Sequence, residues 1–192
     1  MDILKLINEE INNQSTLKKL GKSVGADTSK VKQLTQLGLP TLLQALGNNA
    51  STSEGAEALA GALDDHQDDN VDNLEEFFNN VNSDDGAKIL QHIFAGKNDT
   101  VKNNLAKQTG LKKSQVSGLM TQLAPMLLGA LGQQKKEQEL DASGVAGLLS
   151  GLTAQSGKNG LMDMVTNLLD SDKDGSIVDE VGGLFKRLFK KK

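Results

Sequence analysis

One 28-residue pattern occurs twice in the chain. Residues 20–47, LGKSVGADTSKVKQLTQLGLPTLLQALG, align without gaps with residues 105–132, LAKQTGLKKSQVSGLMTQLAPMLLGALG, at an offset of 85, and 12 of the 28 positions are identical. A duplicated unit of this length is one supersecondary structure that cannot bury its apolar face alone and so packs against its copy. The matches fall where local structure needs them. Leu20/Leu105, Val31/Val116 and Leu34/Leu119 are apolar, Gly25/Gly110 marks a turn, and Pro40/Pro125 opens a run that closes on Ala-Leu-Gly at Gly47 and Gly132. Proline in the first turn and glycine after the last is the start and stop signature of a helix. Each copy therefore reads as helix, glycine turn, helix, and a third helix beginning at the proline. A looser echo, AEALAGAL at 56–63 against VAGLLSGL at 145–152, extends the duplication through a fourth helix.

The whole chain reads as all-α and multihelical, with two sequence-related helical repeats packed together and a C-terminal helix-loop-helix hairpin. Helices are expected near 2–12, 15–24, 28–36, 40–47, 54–64, 71–80, 85–95, 99–108, 113–121, 124–132, 141–153, 160–169 and 177–189. Loops are expected at NNASTS, HQDDN and QQKKEQ, and a hinge at AQSGKNG. This divides the chain into a first repeat with its N-terminal helix and acidic segment (1–95), a second repeat (96–157) and the hairpin (158–192). With no Trp or Tyr and five Phe among 192 residues, the core must be built from Leu, Val, Ile, Ala and Met, a composition of packed helices more than of sheets.

Absences of residue types narrow the chemistry. No cysteine means no disulfide, no thiolate ligand and no thiol nucleophile. No HExxH, GxSxG or GxxxxGK[ST] pattern occurs. His66 in an acidic stretch and His92 in the apolar ILQHIFAG segment are the two histidines, and both read as structural rather than as bases. Asp64/Asp65 and Asp84/Asp85 are neighbours in sequence and do not converge. A non-enzymatic protein is expected. The start MDILKLINEEINNQ carries acids where a leader needs a basic run, and nowhere do 18 apolar residues stand together, so a soluble, cytoplasmic protein is expected.

Charge is segregated although the net is only −4. Residues 54–85 hold eleven acidic side chains and no Lys or Arg, residues 17–33 hold five lysines against Asp27, and the ending FKRLFKKK holds five cations. Such blocks are ordinarily solvated helix faces; the functional reading is attraction between the acidic and basic segments or to an outside partner. The tail also pairs Leu184, Phe185, Leu188 and Phe189 with its cations, a pattern able to touch an anionic membrane surface.

The paired PTLLQALG and PMLLGALG segments, ILQHIFAG at 89–96 and DSDKDGSIVDEV at 170–181 together resemble the bacterial YidB-like family of uncharacterised proteins, from about Leu17 onward. The resemblance implies an all-α fold and carries no activity with it.

Two segments invite a specific function. LAKQTGLKKSQVSGLM has the outline of a helix-turn-helix, in which Ser114, Gln115 and Ser117 would face a groove and Lys107, Lys112 and Lys113 would meet phosphates. Against it, the chain has a single arginine, Arg187, whereas arginine to guanine is the commonest specific base contact. DSDKDGSIVDEV offers Asp170, Asp172 and Asp174 at positions 1, 3 and 5 of a calcium loop, Gly175 at 6, and the Ser176 carbonyl at 7. Position 12 is Val181, so the loop would have to close one residue early, on Glu180. The rival reading is an Asp-capped turn between two helices, although one aspartate caps as well as three and three repel one another. The sequence thus points to a helical binding or assembly module, acting on a protein partner or on itself, with calcium as the candidate ligand of the last loop and DNA binding as the alternative.

Overall fold

The computed structural model describes residues 13–156 together with residues 165, 168 and 169. Among these residues the secondary structure is helical throughout: α1 Gln14–Val24, α2 Thr28–Asn49, α3 Ser53–His66, α4 Leu74–Asn80, α5 Ser83–Ile93, α6 Asn98–Thr109, α7 Lys113–Glu137 and α8 Ala142–Ser156. The expected helices over 2–12 and 177–189 lie outside the described residues.

Short polar side chains start most of these helices. Asn13 accepts from the Ser15 N–H at 3.0 Å, Thr52 from Gly55 at 3.1 Å, Asn73 from Glu76 at 3.2 Å, and Asn82 from Asp84 at 2.9 Å. Each satisfies a backbone donor that the first turn leaves unpaired. The two repeat turns close in the same way. Gly25 and Gly110 both take the left-handed conformation at φ 64°, which a residue with a side chain reaches only at a cost.

One sequence expectation is overturned. Pro40 and Pro125 do not start helices, and Gly47 and Gly132 do not end them; all four lie inside α2 and α7, so four expected helices are two. QQKKEQ likewise is the last turn of α7 and its cap rather than a loop. An interior proline removes one hydrogen bond and costs about 3 kcal/mol, but burial offsets it. Leu119, Leu123, Leu127, Leu128 and Leu131 of α7 are all at most 4% exposed, and two such leucines, at roughly 1.5–3 kcal/mol each, already exceed the loss. The start rule is local, while the continuity of the helix is decided by what surrounds it.

Helix α7 is the centre of the molecule. Every residue from Leu119 to Gly132 is buried, the pattern of a helix enclosed on all sides. Helices α5 and α3 cover most of it, α1, α2 and α6 complete the enclosure, and α8 packs on α2 and α3. Close approach needs glycine at two crossings. A Cβ on Gly132 would stand 2.5 Å from the Leu63 carbonyl oxygen, and one on Gly86 would stand 2.0 Å from that of Thr121.

The two repeats interlock reciprocally. The Lys30 ammonium donates to the Gly110 carbonyl at 2.9 Å, and Gln115, which stands 85 residues after Lys30, donates through Nε2 to the Gly25 carbonyl at 2.6 Å. Gln33 donates to the Gln108 carbonyl at 3.2 Å, while its counterpart Gly118 lies against Val24. Residue i of one copy touching j of the other, and the reverse, is the mark of a two-fold, isologous interface. Here it lies within one chain, and both repeats contribute to a single core.

Candidate functional site

The structure treats the candidate residues differently. In the helix-turn-helix-like segment, Ser114 is exposed and Ser117 half-buried, with Lys107, Lys112 and Lys113 exposed. Gln115 is already occupied, because its Oε1 accepts from the Lys112 N–H at 2.9 Å while its Nε2 caps Gly25. Lys113 faces Asp99 at 3.3 Å. The start of each long helix is turned onto the other copy's glycine turn. Two-fold readers of DNA instead hold their recognition helices about 34 Å apart to reach successive major grooves. The packing of the repeats therefore engages Gln115, while Ser114, Lys107 and Lys112 stay exposed.

The histidines separate. His66 closes α3, with Nδ1 2.8 Å from Asp69 Oδ2. His92 lies in the last turn of α5 and is exposed. The apolar neighbourhood of His92 in sequence did not carry it into the core, because Ile89, Leu90 and Ile93 occupy the buried stripe.

Part of the acidic block is neutralised from α7. Asp64 pairs with Lys135, Asp68 pairs with Lys136 at 2.6 Å, and the Gln133 amide donates to the Asp69 carbonyl at 2.9 Å. These links hold the end of α3 and the following loop onto the end of α7. Glu54, Glu57, Asp65, Asp72, Glu75, Glu76 and Asp84 remain exposed and make no ion pair among the described residues. No group of three or more His, Asp or Glu side chains that could hold a metal occurs among the described residues.

One carboxyl has its acidity shifted for a structural reason. Asp141 precedes α8, and its Oδ1 accepts from the Gly144 N–H at 2.8 Å and the Ser143 hydroxyl at 2.9 Å. These bonds favour the ionised form and hold it below the usual aspartate range. A depressed folded value means that the contribution is present above the unfolded value and is lost as pH falls through the folded one. Asp141→Ala is expected to lower Tm at neutral pH, with the difference from the parent shrinking below about pH 4. Thermal unfolding across pH 2–7 checks this, and a difference independent of pH would show that the cap does not depend on charge.

The calcium candidates Asp170, Asp172, Asp174, Ser176 and Glu180, and the basic tail, lie outside the described residues. What precedes them is anchored. Val165, Leu168 and Leu169 are 1%, 2% and 6% exposed, and the Asn104 side-chain amide on α6 donates to the Leu168 carbonyl at 3.3 Å.

A family model described as a bacterial protein of unknown function, DUF937, matches residues 5–134. The chain belongs to that family. The match spans α1 to α6 and most of α7, and it agrees with the YidB-like resemblance of the repeats. No curated protein and no solved structure matches the chain. No helix among the described residues is long and apolar enough to cross a membrane.

Sequence reasoning missed Lys30, Asn104 and Gly86 as positions that tie elements together. Lys30 and Gln115 align at the repeat offset but are not identical, so counting identities passed over them.

Proposed function

We propose that this DUF937 protein is a non-catalytic helical binding or assembly module whose recognition surface is the acidic exterior of α3 to α5. The observation that carries this reading is the set of exposed carboxylates without ion pairs among the described residues, beside a paired set on the same segment. Glu54, Glu75, Glu76 and Asp84 lie in first turns, where the helix dipole favours them, but Glu57, Asp65 and Asp72 do not. Unmatched ones, presented by α3 and α5 packed on α7 and by α4 packed on α1, suit a basic protein partner or a basic surface of a second copy. DNA is disfavoured on two grounds, the sign of this surface and the occupation of Gln115.

Sedimentation of the purified chain over a range of concentrations, alone and with a 20-base-pair duplex, tests the reading. Self-association or a basic protein partner lost on reversing Glu54, Glu57 and Glu76 to lysine supports it. Duplex binding that falls with salt at a log–log slope of several units would replace it with the nucleic-acid reading.

For the terminal loop we keep calcium as the ligand. Its support is the anchoring of Val165, Leu168 and Leu169 directly before Asp170, which fixes one end of the loop. Without an acid at position 12, binding is expected to be weak, with a Kd on the order of 10⁻⁴ M or above. Asp172→Ala should abolish it, and Glu180→Gln should weaken it more than Asp179→Asn. Calorimetry at millimolar calcium checks this, and absence of heat together with an unchanged Tm would leave the Asp-capped turn.

A further inference from the structure

Helix α7 carries a row, Thr121, Pro125 and Gly129, that is completely buried. Pro125 has no N–H, so the Thr121 carbonyl loses its intrahelical donor, and Gly86 of α5 lies directly over that carbonyl. Farther along the row, Val71 covers Gly129, where an added Cβ would stand 2.8 Å from Val71 Cγ1. The equivalent row on α2, 85 residues earlier, is Gln36, Pro40 and Gln44. It is open: Gln36 is exposed and Pro40 and Gln44 are half-buried. The Gln36 carbonyl is freed by Pro40 just as that of Thr121 is freed by Pro125, and Gln44 Oε1 is buried without a hydrogen-bond partner. One of two equivalent surfaces is covered by α5 and by the loop before α4. The other is not.

The chain carries a second copy of what covers the first. Val-Asp-Asn-Leu at 71–74 recurs as Val-Thr-Asn-Leu at 165–168, and Asp85-Gly86 recurs as Asp174-Gly175, each followed within a few residues by an apolar pair, Ile89-Leu90 and Ile177-Val178. The described residues agree with the pairing. Val71 and Leu74 are buried, as are Val165 and Leu168. Lys19 on α1 donates to the Glu75 carbonyl of α4, and Asn104, its counterpart 85 residues on, donates to the Leu168 carbonyl. Both repeats thus hold the entry to the following segment with the same position of their first helix.

We propose that the Gln36–Pro40–Gln44 face of α2 is the docking surface for residues 172–181 of the same chain, with Gly175 set over the Gln36 carbonyl as Gly86 is set over that of Thr121. The duplication then runs through the whole molecule, and the DSDKDG stretch is the counterpart of NSDDG at the start of α5. Glycine is required at 175 for close approach to backbone, independently of any metal.

The chain has no cysteine, so Ser176→Cys gives a single attachment point for a nitroxide. In the full-length protein with excess chelator, the label is expected to broaden the amide resonances of Gln36 and Leu37 more than those of Thr121 and Gln122, whose site α5 already fills. Gly175→Val in the labelled protein should abolish the broadening on α2 while the resonances of α5 and α7 stay in place. Retention of α2 broadening with valine at 175, or no broadening on α2 at all, overturns the proposal. So does broadening that arises only between a labelled copy and a separate isotope-enriched copy, which would make the occupant a second molecule. Amide exchange of the unlabelled full chain is the second readout, and Gly175→Val should speed exchange in α2 near Gln36 more than in α7 near Thr121.

Discussion

Gly86→Ala is expected to lower the free energy of unfolding by about 3 kcal/mol, the upper end of what overpacking costs, or more. The added methyl would stand 2.0 Å from the Thr121 carbonyl oxygen and 2.8 Å from its carbon. Both are backbone atoms of a helix that is buried on every side, so no side chain can swing away. Either α5 lifts from α7, which exposes Ile89, Leu90 and Ile93, or α7 bends at a point already weakened by Pro125. Alanine is the better helix former by roughly 1 kcal/mol, so a propensity argument alone gives the opposite sign. Urea unfolding of both proteins separates the two, and an unchanged or raised midpoint would mean that α5 does not sit on the Thr121 carbonyl. Ala87→Gly, one residue on and exposed, should lose no more than that propensity difference.

Leu127→Ala is expected to cost about 2–5 kcal/mol and to melt both repeats together. Leu127 and its counterpart Leu42 are both 0% exposed and belong to one core. Helix α1 of the first copy packs on α7 of the second, and α6 of the second packs on α2 of the first. Neither copy has a complete set of neighbours without the other, so the two should not unfold independently. The expected result is one calorimetric transition at a lower Tm, with amide protection falling in α2 as much as in α7. Leu42→Ala should give the same result. Two transitions, with α1 and α2 keeping their protection when Leu127 is truncated, would show that the repeats are separate folding units.

Much of this fold is written in short-range chemistry. The Gly25 and Gly110 turns, the Asn and Thr caps and the helical stripes of α1, α5 and α6 depend on backbone conformations and spacings within one or two turns, and the sequence states those directly. The same holds for the duplication, since equivalent burial in two copies keeps equivalent residues at a fixed offset. The candidate site was less legible. Gln115 has the chemistry of a base reader, and only the position of Gly25, 90 residues away, converts it to a cap. Lys135 and Lys136 looked like part of a polar loop until Asp64 and Asp68 came opposite them.

By itself, then, the sequence determined an all-α chain, its two copies and their turns, because helix propensity, capping and apolar period act over a few residues. Tertiary structure alone decided that Pro40 and Pro125 lie inside continuous helices, because an interior proline is a local loss of about 3 kcal/mol that only burial of the surrounding leucines from every direction can offset. It also decided which of two equivalent faces is covered. Thr121 and Gln36 occupy the same place in the repeat, and their exposures differ because α5 follows the first copy in the chain yet packs chiefly on the second.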